Sequence, residues 1–190
     1  MMKVHMQTDT SRLRVVEMTH IALFASLITV CAWISLPTPW GIPFTLQTFA
    51  VIFALLCLGG KCGTFAISVY LLLGIVGLPV FSYGRGGVGI LLSPDGGYLL
   101  GFFVVGVLFW LAESMNIPVR LESSLFLSFL LSVCYGFGTI WCWLVYTRTT
   151  GEIGVVSILI QGVFPYIVFD LCKIFLARSL ANKLSKHFAR

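Results

Sequence analysis

Charge is what this sequence lacks most. Only 10% of its 190 residues are Asp, Glu, Lys or Arg, against about a quarter in an ordinary soluble domain. Histidine is nearly absent from the interior of the chain: His5, His20 and His187 lie near the ends or at the start of an apolar run and form no ligand cluster. Cys31, Cys57, Cys62, Cys134, Cys142 and Cys172 are scattered without a C-x-x-C, so neither a metal site nor a disulfide framework is suggested. No G-x-x-x-x-G-K-[ST] occurs, and this chain alone should not hydrolyse ATP. The letters G-x-G-x-x-G do occur at Gly84, Gly86 and Gly89. A dinucleotide fingerprint, however, needs a strand before and a helix after within a soluble βαβ unit, and the neighbours here are apolar runs.

What fills the chain instead is apolar sequence, 58% hydrophobic with a mean hydropathy of +1.01. The runs are about 20 residues long, the length a helix needs to cross about 30 Å of hydrocarbon, and they lack the alternation of barrel strands. An all-α integral membrane protein follows, with spans expected near 18–36, 45–59, 62–78, 96–115, 123–146 and 155–180: a single six-transmembrane-helix bundle. Residues 1–17 read as a cytoplasmic N-terminal segment leading into a retained first helix, 37–44, 79–95 and 147–163 as external loops, and 181–190 as a basic cytoplasmic tail.

Six crossings put both ends on one side, and the loop charges choose it. Lys3, Arg12, Arg14, Lys61, Arg120, Arg178, Lys183, Lys186 and Arg190 fall on that side, against Arg85 and Arg148 on the other. Both termini are therefore expected in the cytoplasm, in a multi-pass protein of the cell membrane. The net charge of +5 reads as topology and not as a nucleic-acid surface, since the basic residues flank spans.

Within "QGVFPYIVFDLCKIFLA" (161–177), Asp170 and Lys173 stand three residues apart, on one face of a helix. A charge inside a span costs at least about 2.5 kcal/mol on insertion scales, so such residues face a bundle interior and mark a site or a structural ion pair. A break near Pro165 would start the last helix late and bring the pair close to an external pocket. Two loops on the same side look like its cover. One holds Gly84, Gly86, Gly87, Gly89, Gly96 and Gly97 between Pro79 and Pro94, where backbone N–H groups can approach a ligand. Val88, Ile90, Leu91 and Leu92 make this loop too apolar to be freely solvated, which suggests a lid. The other, "SLPTPWGIPFTLQTFA" (35–50), supplies Trp40 and Phe44 as flat apolar surface and Thr45, Gln47 and Thr48 as hydrogen-bonding groups. An interfacial aromatic belt is the alternative there. Ala22 and Ser26 place small residues four apart on the first span, which suits internal packing or close approach of a partner helix.

"YLLLGIVGLPVF" (70–81), the glycine-rich stretch, "PDGGYLLGF" (94–102), "DLCKIFLA" (170–177) and "GIPFTLQTFA" (41–50) together resemble the BioY family of biotin transporters. Such proteins are substrate-binding S components of energy-coupling factor (ECF) transporters. The resemblance implies six membrane helices, an external loop-covered pocket for biotin, and an energising module made of a membrane coupling subunit and an ATPase pair. Biotin would be the transported substrate, with no cofactor. Asp170 and Lys173 would anchor its polar groups, helped by Thr45, Gln47 and Tyr98. Trp40, Phe44 and Phe81 would cover its apolar part, Gly86 and Gly87 would bring backbone close, and Arg85 would be the alternative holder of its carboxylate. Ala22 and Ser26 would meet the coupling subunit. The family often reads P-T-G-G-Y where this chain has Pro94-Asp95-Gly96-Gly97-Tyr98, and P-G where it has Val168-Phe169. An S component for riboflavin or thiamine is the rival reading. An intramembrane enzyme or a passive channel is weaker, for want of a nucleophile and base in register or a ring of like charge.

Overall fold

The computed structural model describes residues 2–38, 43–115, 117, 124–149 and 154–188. Among them the chain is helical apart from one short hairpin. Helix α1 spans Met2–Trp33, strands β1 (Ser35–Leu36) and β2 (Phe44–Thr45) pair antiparallel, and α2 runs from Gln47 to Ile75. A 3-10 turn at Ser82–Gly84, the single turn α3 (Val88–Leu91), α4 (Gly96–Ser114), α5 (Ser124–Thr149), α6 (Val155–Gly162) and α7 (Phe164–Phe188) follow.

Four of these helices hold stretches long and apolar enough to cross a membrane: Arg14–Trp33, Gln47–Ile75, Gly96–Ser114 and Leu125–Thr149. Their exposed surface is greasy, with Leu23, Val30, Leu72, Phe103, Leu125 and Ile140 all outward. A hydrocarbon solvent removes the penalty that water would impose on such a face. Asp170, Lys173 and Arg178 keep α7 out of that group, since any window of span length in it holds more charge than the others tolerate.

The sequence reading expected two spans at 45–59 and 62–78, and α2 occupies both. At Gly59 the backbone leaves the helix (φ 78°, ψ 170°), a conformation that favours a residue without Cβ. The chain folds back there: a Cβ on Gly63 would stand 2.9 Å from the Cα of Leu55, although eight positions separate them, about 12 Å in a straight helix. The carboxylate of Glu113, at the end of α4, accepts the N–H of Gly60 at 2.6 Å and so caps the second arm with a negative charge. Helix α1 is continuous from Met2, and its apolar part, Arg14–Trp33, lies close to the span expected at 18–36.

Packing centres on α2, which lies against α1, α4 and α7, while α4 also packs on α5. Ile28, Ala50, Ala54, Leu55, Ala66, Ile67 and Ala177 are fully buried at these contacts. Alanines and glycines are interspersed with larger side chains on the inner faces, which lets helices gain van der Waals contact when the surrounding solvent is itself apolar.

The expected break before the late charges is present. Val163 leaves helical geometry (φ −123°, ψ −56°), α6 ends at Gly162, and α7 starts at Phe164 with Pro165 in its first turn, where a missing N–H costs nothing. Asp170 therefore lies six residues, about 9 Å, from the start of its helix and not deep in a long one. Residues 155–162, expected either as the start of the last span or, with a break at Pro165, as loop, form the separate helix α6 and pack on α5 and α7.

Candidate functional site

One cavity of about 670 Å³, mouth included, lies where β2, the lid segment, α2, α4, α5 and α7 converge. Its lining is mixed: Pro43, Phe81, Ile90, Leu99, Phe102 and Leu131 are apolar, while Thr45, Gln47, Thr48, Ser82, Asp95, Tyr98, Tyr135, Tyr166, Asp170 and Lys173 bring polar groups. That combination, apolar walls with a few placed hydrogen-bonding groups, is the usual make-up of a small-molecule site.

Asp170 and Lys173 form its most buried charged wall, at 5% and 7% exposure. Lys173 Nζ donates to Asp170 Oδ1 at 2.6 Å and to the Thr45 carbonyl at 2.6 Å. It also stands 3.9 Å from the centre of the Phe44 ring, a cation–π contact. Asp170 Oδ2 accepts the phenol of Tyr135 at 2.5 Å and, more loosely, the hydroxyl of Thr48 at 3.4 Å. The partners that a buried ion pair requires are thus drawn from the hairpin, α2 and α5, before any ligand is considered.

Gln47 anchors the next wall. Its Nε2 donates to the hydroxyl of Tyr70 at 2.5 Å, and its Oε1 accepts Thr45 Oγ1 at 3.0 Å and Ser82 Oγ at 3.4 Å. The buried hydroxyls of Tyr98 and Thr139 interact with each other and make no other hydrogen bond among the described residues. Tyr98 lines the cavity, so its hydroxyl is placed to meet a polar ligand atom.

The lid is held from three sides. Trp33 Nε1 donates to the Pro79 carbonyl at 2.9 Å, Gly87 N donates to the Gly74 carbonyl at 2.7 Å, and Phe81 pairs across the turn with Arg85. Phe81, 1% exposed, fills the space left by the absent side chain of Gly74 and meets Tyr70 edge-on at 5.5 Å between centroids. Tyr83 takes a left-handed backbone conformation (φ 61°), uncommon for a residue with a Cβ.

The cavity therefore brings together six of the sequence-derived candidates, Asp170, Lys173, Tyr98, Thr45, Gln47 and Phe81. Phe44 backs Lys173, stacked on Tyr166 at 6.2 Å and edge-on to Phe169 at 5.1 Å. Arg85, Gly86 and Gly87 are not in the lining. Gly86 rests on the Leu78 carbonyl, and Arg85 Nη2 pairs with Asp95 Oδ2 at 2.6 Å while its Nε donates to the Ser82 carbonyl at 3.1 Å. Trp40 lies outside the described residues. Ala22 and Ser26 are exposed on α1, away from the buried Ala25 and Thr29, with the Ser26 hydroxyl returned to the Ala22 carbonyl at 2.9 Å.

Sequence reasoning missed Tyr135 and Tyr166, and singled out Asp95 only as a carboxylate near the pocket where the family often has threonine. Tyr135 had a signal: it is a phenol within the apolar run "LLSVCYGF", and a buried hydroxyl needs a partner. Which partner could be learned only from the packing of α5 beside α7.

The BioY family model matches residues 3–190. The biotin transporter BioY of Thermotoga maritima is 37% identical over 174 residues, covering 90% of this chain and 96% of that protein. The probable biotin transporter BioY of Pyrococcus horikoshii is 37% identical over 168 residues, 88% of this chain and 95% of that one. Among solved structures, the S-component for biotin from an ECF-type ABC transporter superposes with a TM-score of 0.71 at 24% identity, over 92% of this chain and 93% of that chain. At that identity the superposition speaks for the fold.

Proposed function

Because this chain belongs to the BioY family, we propose that it captures biotin in the cavity described above and serves biotin uptake across the cell membrane. The observation that carries the reading is the buried Asp170–Lys173 pair at the wall of the cavity, in a chain 37% identical over nearly its whole length to a biotin transporter. Biotin offers two ureido N–H donors and a carbonyl acceptor, an apolar thiophane ring and chain, and a carboxylate. Asp170 is suited to accept an N–H and Lys173 to donate to an oxygen, both charge-assisted in a site with little water. Gln47, Thr45 and the Tyr98 hydroxyl can meet the remaining polar atoms, with Phe44 and Phe81 against the ring. Trp40, Gly86 and Gly87 remain candidates for the cover over the site.

In this reading the chain crosses the membrane six times, through α1, the two arms of α2, α4, α5 and α7, with both termini in the cytoplasm. The excess of Lys and Arg on that side supports the orientation. The cavity then opens externally, about 9 Å below the start of α7. The chain carries no nucleotide-binding loop of its own, so the energy for release inward comes from an ATPase pair acting through a membrane coupling subunit. The exposed face of α1 at Ala22 and Ser26 is the proposed seat of that subunit.

Titration of the purified protein with biotin, riboflavin and thiamine tests the ligand: saturable binding of biotin alone is expected, and saturation by either of the others in its place would overturn the assignment. Ala22→Trp or Ser26→Trp should leave biotin binding intact and impair uptake in cells; unchanged uptake would remove this face from the coupling interface.

A further inference from the structure

The cavity presents three charged side chains, Asp95, Asp170 and Lys173, and a fourth, Arg85, stands immediately behind the first. Each cation is already matched to an anion at 2.6 Å: Lys173 with Asp170, Arg85 with Asp95. Among the described residues no further cation lines the space. A ligand carboxylate entering it therefore meets only cations that already hold a carboxylate, and must share one of them or displace its resident partner. The costs of doing so differ. Lys173 and Asp170 have side chains 8% and 7% exposed, and the lysine is further tied to the Thr45 carbonyl and the Phe44 ring. Parting them strands a buried charge. Arg85 is 38% exposed, and Asp95, at 14%, has beside it Ser93 Oγ, whose one proton it shares with the Ile90 carbonyl. Water and Ser93 can solvate what is released at that rim.

We propose that Asp95 is a specificity-determining residue: it occupies Arg85 as a resident stand-in for the ligand's carboxylate, so that the pocket binds biotin with a free or an amide-capped chain about equally well. The inference rests on biotin being the ligand. A site whose cation is free rewards an anionic tail with a charge-assisted hydrogen bond and rejects a neutral one. A site whose cation is already neutralised gains little from the anion, because one ion pair is exchanged for another. The uncharged tail, for its part, leaves the Arg85–Asp95 pair undisturbed. Compounds that share the bicyclic urea but carry an amide on the chain, such as biotin joined to an amine, thus fall within the substrate class.

The test is a set of equilibrium titrations of the detergent-purified full chain, its Asp95→Asn variant and its Arg85→Gln variant with biotin and with biotinamide, reading the acid-to-amide affinity ratio. For the natural protein the ratio should lie within about threefold of unity, less than one charge-assisted hydrogen bond is worth. In Asp95→Asn, with Arg85 released, it should shift about tenfold towards the acid. In Arg85→Gln, where Asp95 faces the anionic tail unneutralised, it should shift towards the amide. A natural protein that already prefers the acid by tenfold or more, or an Asp95→Asn ratio equal to the natural one, overturns the proposal while leaving the biotin assignment standing. Binding of neither compound by the natural protein overturns both. Should Asp95→Asn fail to fold, the natural ratio and the direction of the Arg85→Gln shift decide the matter.

Discussion

Two ion pairs border the same cavity, each 2.6 Å long, and they could hardly differ more in what they do. Asp170–Lys173 is local, three residues apart on α7, nearly without solvent, and held by groups from three other parts of the chain. Arg85–Asp95 joins a lid residue to the start of α4 and keeps more than a third of the arginine in contact with the surroundings. Distance therefore ranks nothing here. Burial and the number of satisfied donors and acceptors do, because the desolvation already incurred sets what is lost when one partner goes.

The most forceful way to break the comparison is Lys173→Met. It leaves Asp170 buried without its cation, and a loss of about 3–5 kcal/mol in stability is expected, together with loss of biotin binding. Thermal unfolding in detergent measures the first effect. Combining it with Asp170→Asn removes both charges, so much of the stability should return while binding does not. A double variant as unstable as the single one would mean that the pair is not what holds this wall.

A smaller effect is expected of Tyr135→Phe, which deletes the donor to Asp170 Oδ2 and leaves only the longer bond from Thr48. Such a bond to a charged acceptor is worth about 1.5–3 kcal/mol. Biotin binding should weaken with it, because the carboxylate loses one of the groups that fix its direction. An unfolding temperature equal to that of the natural protein would show that Thr48 alone suffices.

The rim pair should respond least. Asp95→Asn is expected to change stability by no more than about 1 kcal/mol, the usual range for a partly solvated pair. Added salt should likewise affect lid-dependent binding through Arg85 and leave the Asp170–Lys173 wall unmoved, since screening acts on the exposed pair. Equal salt sensitivity in an Arg85→Gln variant would contradict that division.

Much of this site was legible before any coordinates. Asp170 and Lys173 stood out because a charge in an apolar run demands an explanation, and Thr45, Gln47 and Tyr98 because polar groups cluster beside proline and glycine at the edges of spans. Pro165 signalled where α7 begins. The readings that stopped short share a cause. Arg85 looked like a free cation over a pocket, yet Asp95, ten residues on, neutralises it. Residues 155–162 fitted either a loop or the start of the last span, yet they form a separate helix that finds its place on α5 and α7. Both outcomes depend on neighbours that no local window contains.

By itself, the order of residues determined what the solvent dictates: long apolar helices, because backbone groups in hydrocarbon must satisfy one another, and a few inward charges, because they cannot face lipid. It also determined family membership. Tertiary structure alone decided which groups meet. The Thr45 carbonyl and the phenol of Tyr135 reach the ion pair from segments 128 and 35 positions away, and Arg85 turns to Asp95 because the lid folds back onto the start of α4. Periodicity reports which face of a helix is buried; it carries no record of the partner on the other side.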